Sequence, residues 1–340
     1  FGEKTVEVGV GKPITKEFKK VNSPNIDVVL YDSEGYEINE NDGDEFLENS
    51  INFINSKSSH DDDKIHIVWL VVPANSNRVT NYELNLYNKI KSTNTPIAVL
   101  FSKCDETNED DLNPMIQRFY PNKTFGKNKS DNESPFFTIS DEIKLEENKI
   151  LFSKEAIIKW SVSKLPDICE LALISSQKVS LDLKKKLAVK IVKQHTGGNA
   201  MTGFIPIPFS DAPILAASQT AMLVRIFKAY GVSGSTVEQF AKSTAMGTLV
   251  SSLGKALVGR LLKFIPVVGT VVGGIINASV ASTITYAMGA SASAILYKFY
   301  NGKILKELQI DENLLEFVKN NFDEYFKSFY NEKSDKKIEK

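Results

Sequence analysis

Cysteine is almost missing from these 340 residues: Cys104 and Cys169 stand far apart. Two distant thiols build no disulfide framework, which excludes the cystine-stapled scaffolds and makes a reducing, cytoplasmic compartment the expectation. An excess of charge is missing too, since 41 Lys and Arg against 42 Asp and Glu leave a net charge of −1. No basic stripe interleaved with aromatics is legible, so the sequence offers no electrostatic case for a nucleic-acid partner. Phe1 is neither an initiator methionine nor the start of a signal peptide. The length exceeds one small domain and suits two.

What is present is organised around residues 26–35. The apolar run at 28–31 suits a central parallel strand covered on both faces. It stops at Asp32, and the carboxyl ends of such strands are where open α/β sheets bind ligands. Gly35, three residues on, has no Cβ and lets backbone approach a phosphate. Upstream lies Gly9-Val10-Gly11-Lys12-Pro13-Ile14-Thr15; downstream, a strand-like run at 96–101 feeds Ser102-Lys103-Cys104-Asp105. The upstream stretch is not a phosphate loop. Val6 stands at the first glycine of G-x-x-x-x-G-K-[ST], and Pro13 at the hydroxyl that would bind Mg²⁺.

Residues 14–21 and 26–32 read as an antiparallel hairpin turning at 22–25. Helices are expected over 44–55, 81–92, 111–119 and 153–164, and strands over 65–72, 96–101 and 135–140. Asp61, Asp62 and Asp63 fall in a polar connection, where a charge run is ordinarily a solvated surface.

Thr15, the Asp32-x-x-Gly35 step and Ser102-Lys103-Cys104-Asp105 follow the order and spacing of three guanine-nucleotide motifs: the switch threonine, D-x-x-G and [NT]-K-x-D. The chain resembles the Era/TrmE-like small GTP-binding protein family, in particular a group with an I-H-x-x-W strand and a helical C-terminal domain. Here that strand reads Ile65-His66-Ile67-Val68-Trp69. The resemblance implies an α/β fold: an incomplete P-loop GTPase domain over residues 1–166, with a doubly wound, mostly parallel sheet that lacks its first strand and phosphate loop. An all-α domain over 167–303 and a charged helical tail over 304–340 would follow.

The resemblance also implies GTP or GDP with Mg²⁺. Thr15 would hold the metal directly and Asp32 through water, Gly35 would meet the γ-phosphate, and Ser102, Lys103, Asp105 and Ser140 would hold the base. A carboxylate accepts both the N1–H and the exocyclic amine of guanine, a pair that adenine cannot supply. Ser102 stands where the family has Asn or Thr, and Asp141 follows Ile139-Ser140 where it has Ala, so the last loop matches least well. His66 is read as a packed residue rather than a base. Arg78 and Glu83 read either as a cation near the switch oriented by a helix-borne acid or as a surface salt bridge. Tyr36, not Gln, follows Gly35, which implies slow intrinsic hydrolysis, and no catalytic residue is assigned. Phe1-Gly2 resembles the end of the helix that follows a phosphate loop, so the sequence reads as N-terminally truncated.

Beyond Pro166 the composition changes. Helical periodicity runs over 168–195 and stops at Gly197-Gly198. Residues 203–213 resemble the P-x-P-x-x-D/A entry of that group's helical domain, and Gln219, Met222, Arg225 and Tyr230-Gly231 extend the match. Ser235-Thr236-Val237-Glu238 is a capping box for a helix to about 263. No charge occurs over 264–297, which leaves open a membrane segment or a buried hairpin.

Two functional classes follow: a guanine-nucleotide switch that hydrolyses GTP slowly, or a degenerate pseudo-GTPase acting as a scaffold or membrane-interaction protein. Partners left open are a homodimer and a membrane or helical protein engaging residues 204–300.

Overall fold

The parallel strands carry the architecture, because their side chains alternate cleanly between two cores. In the computed structural model, the described residues are 18–21, 26–33, 42–57, 64–125, 132–140, 154–198, 212–232, 278–301 and 312–338. They fall into two compact units, one containing Val28–Glu170 and the other Leu171–Lys340 together with Asp27. Thr15 and Gly35, the capping box at 235–238 and much of the uncharged run lie outside the described residues.

In the first unit β3 (Val68–Pro73), β4 (Ile97–Ser102) and β5 (Phe136–Thr138) form a parallel sheet in the order β3-β4-β5. Ile97, Val99 and Phe101 of β4 face one core, with Leu70, Val72 and Phe136. Ala98 and Leu100 face the other, with Phe137. Helices α1 (Asp42–Lys57), α2 (Asn81–Ser92) and α3 (Glu109–Phe119) cover the first face through Phe46, Leu47, Ile54, Leu86, Ile90, Leu112 and Ile116. Helix α4 (Lys154–Lys164) covers the second through Ile157 and Trp160. Burial on both faces is why these strands read as continuous apolar runs rather than alternating ones.

The run leading to Asp32 departs from expectation. Among the described residues it is not a central parallel strand: β2 (Leu30–Ser33) pairs there with β1 (Phe18–Val21) alone, antiparallel, in a separate two-stranded sheet. Val29 is 55 % exposed, so the apolar run is not fully covered. The hairpin is held by its aromatic face instead. Phe18 stacks on Phe53 of α1 at 4.3 Å, and Tyr31 meets the same ring edge-on at 5.0 Å. A mixed α/β fold with a small parallel sheet is therefore what the chain adopts.

The second unit is helical. One long helix over 168–195 does not form; α5 (Asp167–Ser176) and α6 (Leu181–Lys193) are separate, and a π-helical turn, Gln194–Gly198, follows α6. Gln177 makes the break. Its Oε1 accepts from the backbone N–H groups of Val179 and Ser180 at 2.8 and 2.7 Å, and its Nε2 donates to Ser180 O at 2.8 Å. The Ser180 hydroxyl then caps α6 by accepting from Leu183 N.

Helices α7 (Ala212–Ala229) and α8 (Ala278–Tyr300) pack on α6, and α9 (Glu312–Ile338) packs on α8. Close approach is set by Gly289: a Cβ there would lie 2.5 Å from Val192 Cγ2 and 3.0 Å from Met222 Sδ. Helix α7 ends in a Schellman motif, with Gly231 left-handed (φ +86) and Val232 N bonding Phe227 O. Among the described residues no helix is long and apolar enough to cross a membrane.

Candidate functional site

Register brings three loops to one edge. Pro73 lies opposite Ser102, and Phe101 opposite Thr138, so the segments after β3, β4 and β5 leave the sheet level with one another at its carboxyl edge. That edge is where parallel α/β sheets expose polar loops around a ligand.

The loop after β4 carries the sharpest motif. Lys103 adopts the left-handed region (φ 53), which turns the chain into a short 3-10 helix, Cys104–Glu106. The turn sorts the side chains: Lys103 is exposed, Cys104 buried and Asp105 half-buried. Cys104 N donates to Ile139 O at 3.3 Å, and Ile139 N donates to Phe101 O at 2.8 Å, stitching the β5 loop to the β4 loop. The buried Ser140 hydroxyl then donates to Asp105 Oδ1. A carboxylate has about four acceptor directions, and the Ser140 hydroxyl takes one of those of Asp105. Ser102 ends β4 half-buried beneath this loop.

Four of the expected base-binding residues, Ser102, Lys103, Asp105 and Ser140, thus share one edge. Asp32 belongs to the β1–β2 ribbon, where it stands across from Lys19 in register. A carboxylate oxygen is the hard donor that Mg²⁺ takes, so Asp32 suits a metal-holding role chemically. Its expected co-ligand Thr15, like Gly35, falls outside the described residues.

The β3 loop contributes ties that the sequence did not signal. Asn75 Nδ2 donates to Glu106 Oε2 at 2.6 Å, and Thr107 Oγ1 donates to Asn77 Oδ1 at 3.2 Å. Asn77 is left-handed (φ 51), a conformation that Asn tolerates better than most residues. Glu83 has a different part from the one expected. Its Oε2 accepts from Thr80 N at 2.6 Å while Thr80 Oγ1 accepts from Glu83 N, a reciprocal capping box for α2. The signal was present as Thr80-Asn81-Tyr82-Glu83. His66 Nε2 lies 3.8 Å from Cys169 Sγ, in keeping with a packed histidine. The Cys104 thiol is pushed up to about 12, chiefly by burial and further by Asp105, against the Ile139 backbone bond, so it is inert rather than nucleophilic.

Elsewhere, in the helical unit, Lys184 is 1 % exposed and donates to the carbonyls of Ile174 and Ser175 at 2.8 Å and of Ala229 at 3.4 Å. Those carbonyls end α5 and α7, where a cation favours the negative end of each helix dipole. Burial, with Lys178 nearby, holds its pKa down to about 7. His195 Nε2 lies 3.4 Å from Arg225 Nη1 and its Nδ1 3.2 Å from Ser218 Oγ. Arginine can only donate, so His195 accepts at Nε2 and donates to Ser218 at Nδ1. That tautomer cannot take a proton from the Ser218 hydroxyl, and the cluster is not a nucleophile–base pair.

No protein-family model matches the chain, and no curated protein matches it.

Proposed function

We propose that this protein is a guanine-nucleotide-binding switch whose base site is the loop Ser102-Lys103-Cys104-Asp105 backed by Ser140. One observation carries the reading: the Asp105 carboxylate is held by the Ser140 hydroxyl at the carboxyl edge of a parallel sheet. In this reading Asp105 pairs with the two N–H donors of guanine, and the stem of exposed Lys103 lies along the base plane. Asp32 holds Mg²⁺ through water, with Thr15 as its partner, and Gly35 senses the γ-phosphate. When bound, Mg²⁺ offsets phosphate charge. The protein's residues select the base and register the presence of the terminal phosphate.

A second reading, a pseudo-GTPase serving as a scaffold, has its own observations. Nothing in the 340 residues reads G-x-x-x-x-G-K-[ST], and β2 and β3 lie in separate sheets. Without a phosphate cradle, the base site alone holds a nucleotide weakly.

Titration of the protein, in its full encoded length, with guanine and xanthine nucleotides separates the two. Guanine binding that Asp105→Asn converts to xanthine preference supports the switch. Absence of binding to either nucleotide by either protein rejects it in favour of the scaffold.

A further inference from the structure

The helical unit exposes one face whose chemistry nothing above uses. Along α6, Lys185, Lys186, Val189 and Lys193 are exposed, and Lys190 is half-buried between them. Their spacing of three and four residues puts them on one side of the helix. The opposite side, Leu183, Leu187, Ala188, Ile191 and Val192, is buried. The lysines share this open face with Asp182, Val189 and Gln194. Lys185 is held over the Tyr297 ring at 4.7 Å, and the Tyr297 hydroxyl donates to Asp182 at 3.2 Å. The acid that starts the row is therefore turned toward α8. At the far end Arg225 donates to Gln194 Oε1 at 3.0 Å.

We infer that this face of α6 is a docking surface for an anionic phospholipid bilayer. Charge complementarity sets the sign of the partner, and residue choice sets its class. Every cation of the row is lysine. Lysine is depleted from protein–protein interfaces, which favour arginine and aromatics, and it lacks the planar fork that recognises one phosphate or carboxylate bidentately. Lysines act as point charges that add over a diffuse negative surface. Val189, 43 % exposed at the centre of the row, supplies an apolar contact among the lysine stems. Helix α6 carries no aromatic of its own, and the Tyr297 ring beside it is covered by Lys185, which is not the stacking platform that a single-stranded nucleic acid requires. The inference is independent of the nucleotide site.

Sedimentation of the full chain with vesicles of phosphatidylcholine alone, or of phosphatidylcholine with phosphatidylserine, tests it. Binding is expected only to the phosphatidylserine vesicles at about 0.1 M salt, and release at about 1 M, where the Debye length falls to about 3 Å. Each Lys→Gln change at Lys186 and Lys193 lowers partitioning about fivefold, and changes at Lys185, held over the Tyr297 ring, and at half-buried Lys190 lower it less. Lys→Arg at all four positions retains it, which separates lost charge from lost folding. Equal binding to both vesicle types, or undiminished binding by the fourfold Gln variant, overturns the inference. So does tighter binding to duplex DNA through the same lysines, which assigns the face to nucleic acid instead.

Discussion

The Ser140 hydroxyl, two residues past β5, donates to the carboxylate of Asp105, in the turn after β4. This one bond ties the most specific sequence motif to its least well matched one. It holds the carboxylate by a group on a neighbouring loop, so aim and charge can be removed separately. Ser140→Ala leaves the charge and loses the aim. A hydrogen bond to a charged group is worth about 1.5–3 kcal/mol, so for the proposed base site the expected outcome is guanine affinity lower by about tenfold or more, with no gain for xanthine. Calorimetric titration of both nucleotides checks this against Asp105→Asn, which changes the preferred base.

Glu83 gives an outcome of the opposite kind. As half of the capping box with Thr80 it stabilises α2. Thr80→Ala lowers unfolding free energy by about 1 kcal/mol and leaves nucleotide affinity unchanged. Urea denaturation beside a binding titration distinguishes this from a role in orienting Arg78.

Much of the α/β unit was legible in advance. The helix at 81–92 and the strands β3, β4 and β5 sit within a residue or three of their sequence-derived bounds, because runs buried on both faces and a strong cap leave local propensity and tertiary packing in agreement. The place of the loop at 102–105 was legible for a related reason: it follows directly on β4, whose buried run fixes the end of the sheet. Long-range ties escaped. Asn75 with Glu106 and Asn77 with Thr107 join positions about thirty residues apart, and no periodicity encodes such a meeting. The break at Gln177 escaped because a helical apolar stripe continues on either side of it. The antiparallel pairing of β1 with β2 was legible, but the environment of β2 was misread: its run is apolar yet only partly covered, with Val29 55 % exposed.

Gly289 is a packing requirement. Alanine would ordinarily gain about 1 kcal/mol of helix propensity over glycine. Here the new Cβ meets the Val192 γ-methyl at 2.5 Å, and a β-branched side chain cannot swing aside. Gly289→Ala therefore destabilises the helical unit by about 1–3 kcal/mol. Val192→Ala in the same chain recovers part of that loss, and a double-mutant cycle by chemical denaturation measures the coupling.

Lys184 sets a pH dependence. Unfolded, it titrates near 10.5; folded, near 7. Between those values the unfolded chain binds the extra proton, so stability rises with pH, by at most about 1.4 kcal/mol per unit. Below pH 7 both states carry the proton and the slope vanishes. The neutral amine still has two N–H donors for the α5 and α7 carbonyls. Lys184→Met removes both the slope and the donors, and unfolding followed from pH 6 to 10 in both proteins reads the difference.

Gln177 is fully buried, and both ends of its amide are committed to the backbone between α5 and α6. A carboxylate there, as in Gln177→Glu, would set an oxygen in place of the donating NH₂ against the Ser180 carbonyl, two acceptors facing each other without water. At the corner joining these helices, a change of one functional group converts a clasp into a wedge.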